Sequence, residues 1–382
     1  MKVALLTDCY LPRLGGIEVQ SHDLARHLRA LGHEVVVFTA TPGPHGERHG
    51  AVTDVDGISV HRLAARLPWE LPVNPLAPPE LRRRLRVGGF DVAHVQTGVV
   101  SPFAWDAVRV TAGLGLPTAV TWHSMLGPVT PAFRAAGAVR RWAARGVALS
   151  AVSDVAAAPL RGLAGPDATV AVLPNGIDVA RWAVGPAPRR PGPLRLVTAM
   201  RLAPRKRPLP LLELVRRAER LTGRPGSLEL TVFGDGPVRA RVERHVREHG
   251  LTWVRLPGRV PREQLRERYA AADVYLSPVR LESFGIAALE ARTVGLPVVG
   301  RAGSGVGEFV RDGVNGLVAD GDAQMAAAIA RLAGDPAELS RLRAWNVAHR
   351  PDQDWPAVAA MAVAEYERAV ALAGRRRSPV RR

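Results

Sequence analysis

The sequence predicts an α/β protein built from two doubly wound domains, and three observations lead to this fold class. Short apolar segments alternate with amphipathic segments along nearly the whole chain, which is typical of parallel strands joined by crossover helices. Residues 183–193 interrupt this alternation with four prolines and two glycines, as in a linker. The alternation then starts again, and 382 residues are enough for two domains. Because open parallel sheets bind ligands beyond the carboxyl ends of their strands, we expect the two domains to face a ligand cleft.

The first domain is predicted to span residues 1–183, followed by a linker at 184–193. Its first long helix should cover 22–31, where Leu24, Leu28 and Leu31 share one face and Gly32 ends the helix. Seven apolar segments of this domain are predicted as strands, at 3–7, 34–40, 58–63, 91–96, 118–123, 149–153 and 169–173.

The second domain is predicted to span residues 194–350. Its strands are expected at 194–200, 228–233, 253–256, 274–277 and 297–300, and its helices at 209–221, 238–249, 262–271, 285–294 and 323–332. The segment 351–374 contains a last helix with an apolar face made by Val358, Met361, Ala362, Tyr366 and Val370. The remaining residues, 375–382, form a basic tail that we expect to be disordered.

The charge of the chain is strongly positive, with a formal net charge of +17. Attraction to an anionic membrane surface or lipid acceptor is one explanation, and a solvated, arginine-rich surface is the other. Nucleic acid is not expected as a partner, because zinc-finger spacing is absent and aromatic residues are only 5% of the chain. Lys2 and Lys206 are the only lysines, so the interior Lys206 indicates a place that needs a compact ammonium, such as a phosphate site.

The cellular setting is predicted from what the sequence lacks. Cys9 is the single cysteine, which excludes a disulfide framework and a cysteine metal site. No apolar stretch approaches the roughly 18 residues that a membrane span needs. We therefore expect a cytoplasmic enzyme, with peripheral attachment to the inner face of the membrane as an option.

The most informative segment is 282–290, Glu-Ser-Phe-Gly-Ile-Ala-Ala-Leu-Glu. It follows a predicted strand, so Glu282 should lie in the loop and Glu290 about one and a half turns into the next helix. The first N–H groups of a helix suit a phosphate. A phosphate site flanked by two carboxylates suits a nucleotide sugar, with one carboxylate for the ribose and one for the sugar ring. The segment resembles the Glu-x7-Glu signature of retaining GT-B glycosyltransferases of the family 4 type, also called glycosyl transferases group 1.

This resemblance implies a GT-B fold, in which two Rossmann-like domains face a cleft and the C-terminal helix crosses back to the N-terminal domain. It also implies transfer of a hexose, with retention, from a UDP- or GDP-linked sugar to an acceptor hydroxyl on a lipid, glycan or small molecule. No metal or other cofactor is expected. Glu282 would bind sugar hydroxyls and Glu290 the ribose diol, while the donor would also contact Ser283, Phe284, Gly285 and Ile286.

A second motif, Arg201 to Arg207, follows the first strand of the second domain. It resembles the family's Arg-x4-Lys phosphate clamp, with Arg201 and Lys206 at the matching positions. Two fixed cations can stabilise a leaving diphosphate without a metal ion. The alternative is an ordinary basic loop at a helix start. Arg205 and Arg207 are predicted to be surface charges.

Two motifs of the first domain follow predicted strands. Gly15 and Gly16 resemble the family's first βα loop and could bring backbone N–H groups to a ligand, although a plain turn is the alternative. His123 ends a strand and resembles a histidine that lies near the donor sugar and diphosphate, the alternative being a structural histidine.

Three further loops of the second domain match the family. Gly234 and Gly236 resemble a Gly-x-Gly-Pro loop near the diphosphate, and the third glycine of a dinucleotide motif is missing. Gly258, Arg259 and Val260 align with a loop whose backbone holds the base. Residues 304–308 resemble a Gly-Gly-x-x-Glu sugar loop in which Ser304 replaces the first glycine.

Three Asp-x-Asp triplets, at 54–56, 320–322 and 352–354, are interpreted as turns and not as metal ligands. Residues 174–178 are interpreted as a structural turn between the domains. The acceptor should be selected by the loops 41–56 and 67–79, which contain no motif that identifies it.

Other functions on the same fold remain as alternatives. The carboxylate pair argues against a nucleotide-sugar epimerase, and a phosphorylase would need a lysine for pyridoxal phosphate, for which only Lys206 is available. A non-catalytic nucleotide-sugar sensor is the alternative outside enzymology, against which the complete set of Arg, Lys, His and Glu argues.

Overall fold

The computed structural model describes residues 1–65, 73–189 and 191–377. The chain forms two compact units. Unit 1 contains Met1–Gly176 and the C-terminal segment that begins at Trp355, and unit 2 contains Ile177–Asp354. Each unit holds one largely parallel sheet with helices, so the predicted α/β class is confirmed.

Unit 1 has an eight-stranded sheet in the order β3-β4-β2-β1-β5-β6-β7-β8. Its strands are β1 Lys2–Thr7, β2 Glu34–Thr39, β3 Ala51–Val55, β4 Ile58–Arg62, β5 Val92–Thr97, β6 Thr118–Trp122, β7 Ala148–Ala151 and β8 Val170–Val172. Its first six helices are α1 Gly16–Ala30, α2 Ala77–Val87, α3 Pro102–Leu114, α4 Thr130–Ala136, α5 Ala138–Ala144 and α6 Asp154–Ala164. The seven predicted strands are all present. The central strands are buried on both faces, which explains their nearly continuous apolar sequence.

Strand β3 was not predicted, and it lies inside the proposed acceptor loop 41–56. It pairs antiparallel with β4 through the turn at Asp56 and Gly57, where both residues have positive φ. Its residues are alternately half-buried and exposed, so it lacks the apolar run of the inner strands. The Asp-Gly pair is a known hairpin signal that the sequence does contain. Residues 67–72 of the other proposed acceptor loop, 67–79, lie outside the described residues, and the end of that loop forms the start of α2.

Unit 2 has a six-stranded parallel sheet in the order β11-β10-β9-β12-β13-β14. Its strands are β9 Leu194–Ala199, β10 Leu228–Phe233, β11 Val254–Gly258, β12 Val274–Ser277, β13 Val298–Arg301 and β14 Gly316–Ala319. Its helices are α7 Val179–Trp182, α8 Pro208–Thr222, α9 Arg239–Glu248, α10 Arg262–Ala270, α11 Ile286–Val294, α12 Asp322–Gly334 and α13 Pro336–Ala348. β14, α7 and α13 were not predicted. β14 has only four residues and pairs in parallel with β13.

The boundary between the units differs from the predicted one. Helix α7 belongs to unit 2, where the Trp182 ring lies 6.1 Å from the Tyr269 ring. The predicted linker 184–193 is also attached to unit 2, because the N–H of Ala187 donates to the carbonyl of Ala270 and its carbonyl accepts from Arg343. The proline and glycine content correctly predicted an irregular segment, but the hydrogen bonds of Ala187 attach this segment to unit 2.

The last helix, α14 Trp355–Arg377, packs in unit 1 and so crosses back to the N-terminal domain as predicted. It extends to Arg377, so the first residues of the tail 375–382, predicted to be disordered, are helical. Its buried side chains include Trp355, Val358, Ala362 and Tyr366, which join the core that contains the β1 residues Val3 and Leu5. Two residues of the predicted apolar face are largely exposed, Met361 at 41% and Val370 at 45%. Leu31 of the first helix is likewise 52% exposed, because α1 ends at Ala30. In the part of the chain that the structure describes, no helix is long and apolar enough to cross a membrane.

Candidate active site

The predicted phosphate lysine and the predicted sugar carboxylate meet in unit 2. Lys206 follows β9 and Glu282 follows β12, and these strands are parallel neighbours whose carboxyl ends share one edge of the sheet. Lys206 Nζ donates to Glu282 Oε2 at 2.6 Å. The two side chains are 20% and 16% exposed, so the pair is accessible to a ligand and only partly screened by water.

The N-terminus of α11 lies next to Glu282 in the chain. Gly285 is its N-cap residue with φ 92°, a left-handed conformation that favours glycine. Gly285 has no side chain with which to cap this helix end, and the first N–H groups of a helix suit an anion. Phe284 is buried and its ring packs against the Phe309 ring, which fixes the 282–285 loop to the core of unit 2. The structure therefore brings Glu282, Lys206 and this helix end together.

The loop at 304–308 packs directly on the same segment. The N–H of Gly305 donates to the carbonyl of Glu282 at 2.7 Å, and a Cβ at Gly305 would lie 2.1 Å from the carbonyl oxygen of Ser283. Ser304 is buried and its Oγ donates to the carbonyl of Arg301 at 2.6 Å. The serine that replaces a family glycine thus bonds within the protein, so its hydroxyl stabilises the loop.

Glu290 lies in the second turn of α11 and is only 5% exposed. Its Oε1 accepts hydrogen bonds from Arg262 Nη2 at 2.7 Å and Nε at 3.2 Å. The Arg262 guanidinium also lies over the Trp182 ring, 5.6 Å from its centre. Sequence analysis missed Arg262, since no local pattern links it to a carboxylate 28 residues away. A ribose at Glu290 would share this carboxylate with Arg262.

The glycines of the 234–237 loop are required by neighbouring backbone. A Cβ at Gly234, whose φ is 120°, would lie 2.0 Å from the carbonyl oxygen of Met200, and one at Gly236 would lie 2.5 Å from that of Leu202. The N–H of Leu202 in turn donates to the carbonyl of Asp235 at 2.9 Å. This loop therefore supports the Arg201–Lys206 segment, and its contact with a donor remains a prediction.

The remaining predicted donor residues of unit 2 lie at the same sheet edge. Arg201 follows β9 and is exposed. Gly258 ends β11 with φ 87°, and its carbonyl accepts from the N–H of Gly234 at 2.8 Å. Arg259 is exposed and Val260 is half-buried just beyond it.

The prediction that Arg207 is a surface charge is wrong. Its side chain is only 13% exposed, and its guanidinium donates to both carboxylate oxygens of Asp322, at 2.8 and 2.6 Å. The bidentate bond explains the burial, because a paired guanidinium can leave water at much lower cost than an unpaired one. Asp322 belongs to one of the Asp-x-Asp triplets and begins α12.

His123 lies in unit 1 directly after β6, as predicted, and it is half-buried. Its Nε2 is hydrogen-bonded to Gln96 Oε1. Gln96 in turn donates through Nε2 to His94, which contacts Tyr366 of α14 at 2.9 Å and Thr121 at 2.7 Å. Since the Gln96 oxygen only accepts, His123 carries its proton on Nε2. Burial lowers the pKa of His123 to about 4 and that of His94 to about 3, so both rings are neutral at pH 7.

A cavity of about 20 Å³ adjoins this chain of polar groups, and it is large enough for one water molecule. Its lining includes Gln20, His94, Gln96, His123 and Asn175. Gln20 also exchanges two hydrogen bonds with the backbone of Gly176, each 2.9 Å long. The segment interpreted as a structural turn, 174–178, is thereby fixed to α1 within unit 1 as far as Gly176. Sequence analysis missed Gln96 and His94, whose polar side chains on a buried strand were a usable signal.

The Gly15–Gly16 turn begins α1 as predicted, with Gly15 as the N-cap residue. Both glycines are exposed. Glu18 is buried beside them, and its Oε2 lies 2.3 Å from where a Gly15 Cβ would stand. Arg13 Nε pairs with Glu18 at 3.4 Å. A carboxylate of the chain itself therefore lies at this helix start, which sequence analysis did not recognise.

The Asp-x-Asp triplets stand in turns or ion pairs. Asp54 accepts from the N–H of Gly57 in the β3–β4 hairpin, and Asp354 accepts from the N–H of Val179. Among the described residues, no three His, Cys, Asp or Glu side chains are grouped so that they could hold a metal ion.

Two protein families match the chain, one in each half. Residues 14–181 match Glycosyltransferase Family 4, and residues 186–346 match Glycosyl transferases group 1. Both family models describe glycosyltransferases and together they span most of the chain, so the chain belongs to the glycosyltransferases of the family 4 type. It is 26% identical over 393 residues to a GDP-mannose-dependent alpha-mannosyltransferase of Mycobacterium tuberculosis, covering 98% of each chain. It is 29% identical over 399 residues to a glycogen synthase of the same species, covering 96% of this chain and 94% of the relative.

The fold of this glycosyltransferase is also that of solved GT-B structures. Sucrose-phosphate synthase from Thermosynechococcus elongatus superimposes with a TM-score of 0.74 at 21% identity, over 97% of this chain and 99% of that one. The GT-B fold predicted from the sequence is thereby confirmed.

Proposed function

We propose that this glycosyltransferase transfers a hexose, with retention and without a metal ion, from a UDP- or GDP-linked sugar to an acceptor hydroxyl. The observation that carries the proposal is the Lys206–Glu282 pair, 2.6 Å apart at the sheet edge where α11 begins. A cation beside a helix N-terminus suits the diphosphate, and a carboxylate beside them suits sugar hydroxyls.

The chemistry at this site requires charge stabilisation more than proton transfer by the protein. The bond between the anomeric carbon and the β-phosphate oxygen breaks, and the acceptor oxygen bonds to the same face of that carbon. The acceptor proton passes to an oxygen of the leaving diphosphate. Arg201, Lys206 and the first N–H groups of α11 stabilise the growing negative charge, which is work that a metal ion does in other transferases.

The other site residues bind and orient the donor in this proposal. Glu282 accepts from hexose hydroxyls once Lys206 has turned to the diphosphate, and Glu290 accepts from the ribose diol. His123 orients the hexose as a neutral ring, because its lowered pKa keeps it uncharged. The backbone of Gly258, Arg259 and Val260 holds the base in unit 2, and the Gly15–Gly16 turn of unit 1 is a further proposed contact of the donor.

The donor base and sugar are tested first by thermal stabilisation with UDP, GDP, ADP and their hexose conjugates, with and without EDTA. GDP-mannose is the first conjugate to try, because the mannosyltransferase relative is named for it. Stabilisation by one base family, unchanged by EDTA, supports a metal-independent donor site. If no nucleotide stabilises the protein, the transfer proposal fails.

Retention is tested on the product. Proton NMR of the first product formed from an α-linked donor should show an α-glycosidic bond. A β-linked product would exclude the retaining mechanism and leave the donor site to be reconsidered.

The acceptor is proposed to be a lipid, a glycan or a small molecule, with the enzyme in the cytoplasm. An anionic membrane surface is a proposed partner, supported by the +17 charge and by the exposed Arg82, Arg83 and Arg86 on α2. Co-sedimentation with vesicles containing phosphatidylserine tests this partner. Binding should weaken as salt rises, and equal binding to neutral vesicles would argue against it.

A further inference from the structure

Arg207 has an unusual backbone conformation next to the phosphate lysine. Its φ is 60°, in the left-handed region that residues with a Cβ rarely adopt. It follows Lys206 directly and begins α8, since its carbonyl accepts from the N–H of Leu211 at 3.0 Å. Such a conformation persists where the surrounding structure holds it, and it is frequent at functional sites.

The contacts that hold Arg207 come from two other loops. Its guanidinium donates to both oxygens of Asp322 and also to the carbonyl of Pro278 at 3.0 Å. Arg301 Nη1 donates to the same Asp322 carboxylate at 2.8 Å. The two arginine side chains are each 13% exposed. The hydrogen bond from Arg207 lowers the pKa of Asp322, so the carboxylate is ionised at neutral pH. We name Arg207, Arg301 and Asp322 the Asp322 cluster.

The Asp322 cluster connects the loops that follow four adjacent parallel strands. Arg207 lies in the loop after β9, and Pro278 begins the loop after β12 that leads to Glu282. Arg301 ends β13 and leads into the 304–308 loop, while Asp322 begins α12 after β14. These strands are neighbours in the order β9-β12-β13-β14, so one carboxylate ties together the backbone segments that carry the candidate site.

We propose that the Asp322 cluster is a positioning network for the donor diphosphate. It holds the Lys206 backbone and the loop before Glu282 at a fixed separation, so that the ammonium and the α11 N-terminus converge on one phosphate before the donor arrives. Its members are positioning residues, not catalytic ones. Preorganised charges stabilise a developing anion more than charges that must first be arranged. The inference rests on the proposed function, because it needs a nucleoside diphosphate at Lys206.

A simple charge effect predicts the opposite result to positioning, which makes Asp322 the decisive residue. Removing the carboxylate that pairs with Arg207, the residue after Lys206, leaves Arg207 and Arg301 uncompensated. Through-space attraction alone would then strengthen the binding of an anion. Loss of positioning would weaken the same binding. Asp322→Ala and Asp322→Asn therefore separate the two effects by the sign of the change.

The experiment compares Asp322→Ala, Asp322→Asn, Arg207→Gly and Arg207→Lys with the unmodified full chain. Calorimetry measures the Kd of the nucleoside diphosphate that stabilises the protein, and initial rates give kcat and KM for donor and acceptor separately. The matched control is Glu338→Ala, because Glu338 also pairs with two arginines, Arg331 at 2.9 Å and Arg341 at 3.6 Å, but lies in α13.

We expect Asp322→Ala and Arg207→Gly to raise the diphosphate Kd by about 10-fold or more and to lower donor kcat/KM in parallel, with acceptor KM unchanged. Asp322→Asn, which keeps one accepting oxygen, should show a smaller loss. Arg207→Lys should recover part of the loss, because an ammonium can still donate to Asp322 but not in bidentate fashion. Glycine tolerates the left-handed conformation, so Arg207→Gly should fold even if Asp322→Ala does not.

Two results would overturn the network. One is an Asp322 variant that binds the diphosphate as tightly as the unmodified protein or more tightly. The other is a fall in thermal stability with unchanged kinetics, as expected of Glu338→Ala, which would assign a merely structural role. If the unmodified protein binds no nucleoside diphosphate, the proposed function itself fails and the network falls with it; binding in the unmodified protein together with unaffected variants rejects the network alone.

Discussion

The Lys206–Glu282 pair predicts that two variants of one ion pair affect nucleotide binding in opposite directions. In the unliganded protein, the ammonium that should hold the diphosphate is already bound to a carboxylate at 2.6 Å. A diphosphate must compete with Glu282 for Lys206. Removing the lysine should weaken diphosphate binding, whereas Glu282→Gln should strengthen it by abolishing the competition.

The magnitudes follow from distance and exposure. At 2.6 Å and an effective dielectric constant of 20, the gross attraction between the two charges is about 6 kcal/mol. Desolvation and lost side-chain freedom cancel most of it, and for a pair about one-fifth exposed we take a net value of about 1 kcal/mol. Glu282→Gln should therefore lower the diphosphate Kd about 5-fold. Lys206→Ala removes a charge-assisted hydrogen bond of about 1.5–3 kcal/mol, which raises the Kd by about 10- to 150-fold.

Turnover should fall when either partner of the ion pair is removed, whether the substitution weakens or strengthens diphosphate binding. Lys206→Ala and Glu282→Ala should each lower kcat by about 10²-fold, the usual cost of losing one partner of the transition state. Calorimetry with the nucleoside diphosphate and initial rates with the sugar donor measure the two effects. Arg205→Ala is the control, because it removes a neighbouring exposed charge. The site assignment is refuted if Lys206→Ala keeps near-normal turnover, or if Glu282→Gln weakens diphosphate binding as much as Lys206→Ala does.

Three further predictions concern the supporting structure. Gly234→Ala should destabilise unit 2 by about 3 kcal/mol or more in chemical denaturation, because its Cβ would lie 2.0 Å from a carbonyl oxygen in a backbone with φ 120°. Gly307→Ala is the control: a Cβ there has no atom within 4 Å, so stability should change by less than about 0.5 kcal/mol. Equal effects of the two substitutions would contradict the loop contact. Between pH 6.5 and about 3 the unfolded chain protonates His94 and the folded chain does not, so the free energy of unfolding decreases as the pH is lowered through this range. His94→Gln should make this decrease smaller by about 1.4 kcal/mol per pH unit. An identical pH slope in both proteins would show that the pKa of His94 is the same in the folded and unfolded chains. Gln96→Leu should change the ¹⁵N signals of His123 away from the Nε2-protonated tautomer, and unchanged signals would mean that another group sets the tautomer.

Much of the fold was predictable from local pattern. The parallel inner strands are buried on both faces, so they appear as apolar runs, and helix starts and ends carry glycine and polar signals that operate over a few residues. The sequence also placed Lys206, Glu282 and Glu290 at the ends of strands or the starts of helices, where the structure has them. The elements missed include the four-residue strand β14, which pairs with β13, and the 13-residue helix α13.

The side-chain partners of the site depended on the tertiary structure. Arg207 looked like a surface charge because its neighbours in the chain are basic, yet its partner Asp322 is 115 residues away. Arg262 and Glu290 are 28 residues apart, and Gln96 and His123 are 27 apart. Periodicity and capping report interactions within one or two turns of chain, so they identify elements and loop ends. Which charges neutralise one another is decided only when parallel strands bring distant loops to one edge of a sheet, because the strength of an ion pair depends on spatial distance and burial and not on separation along the chain.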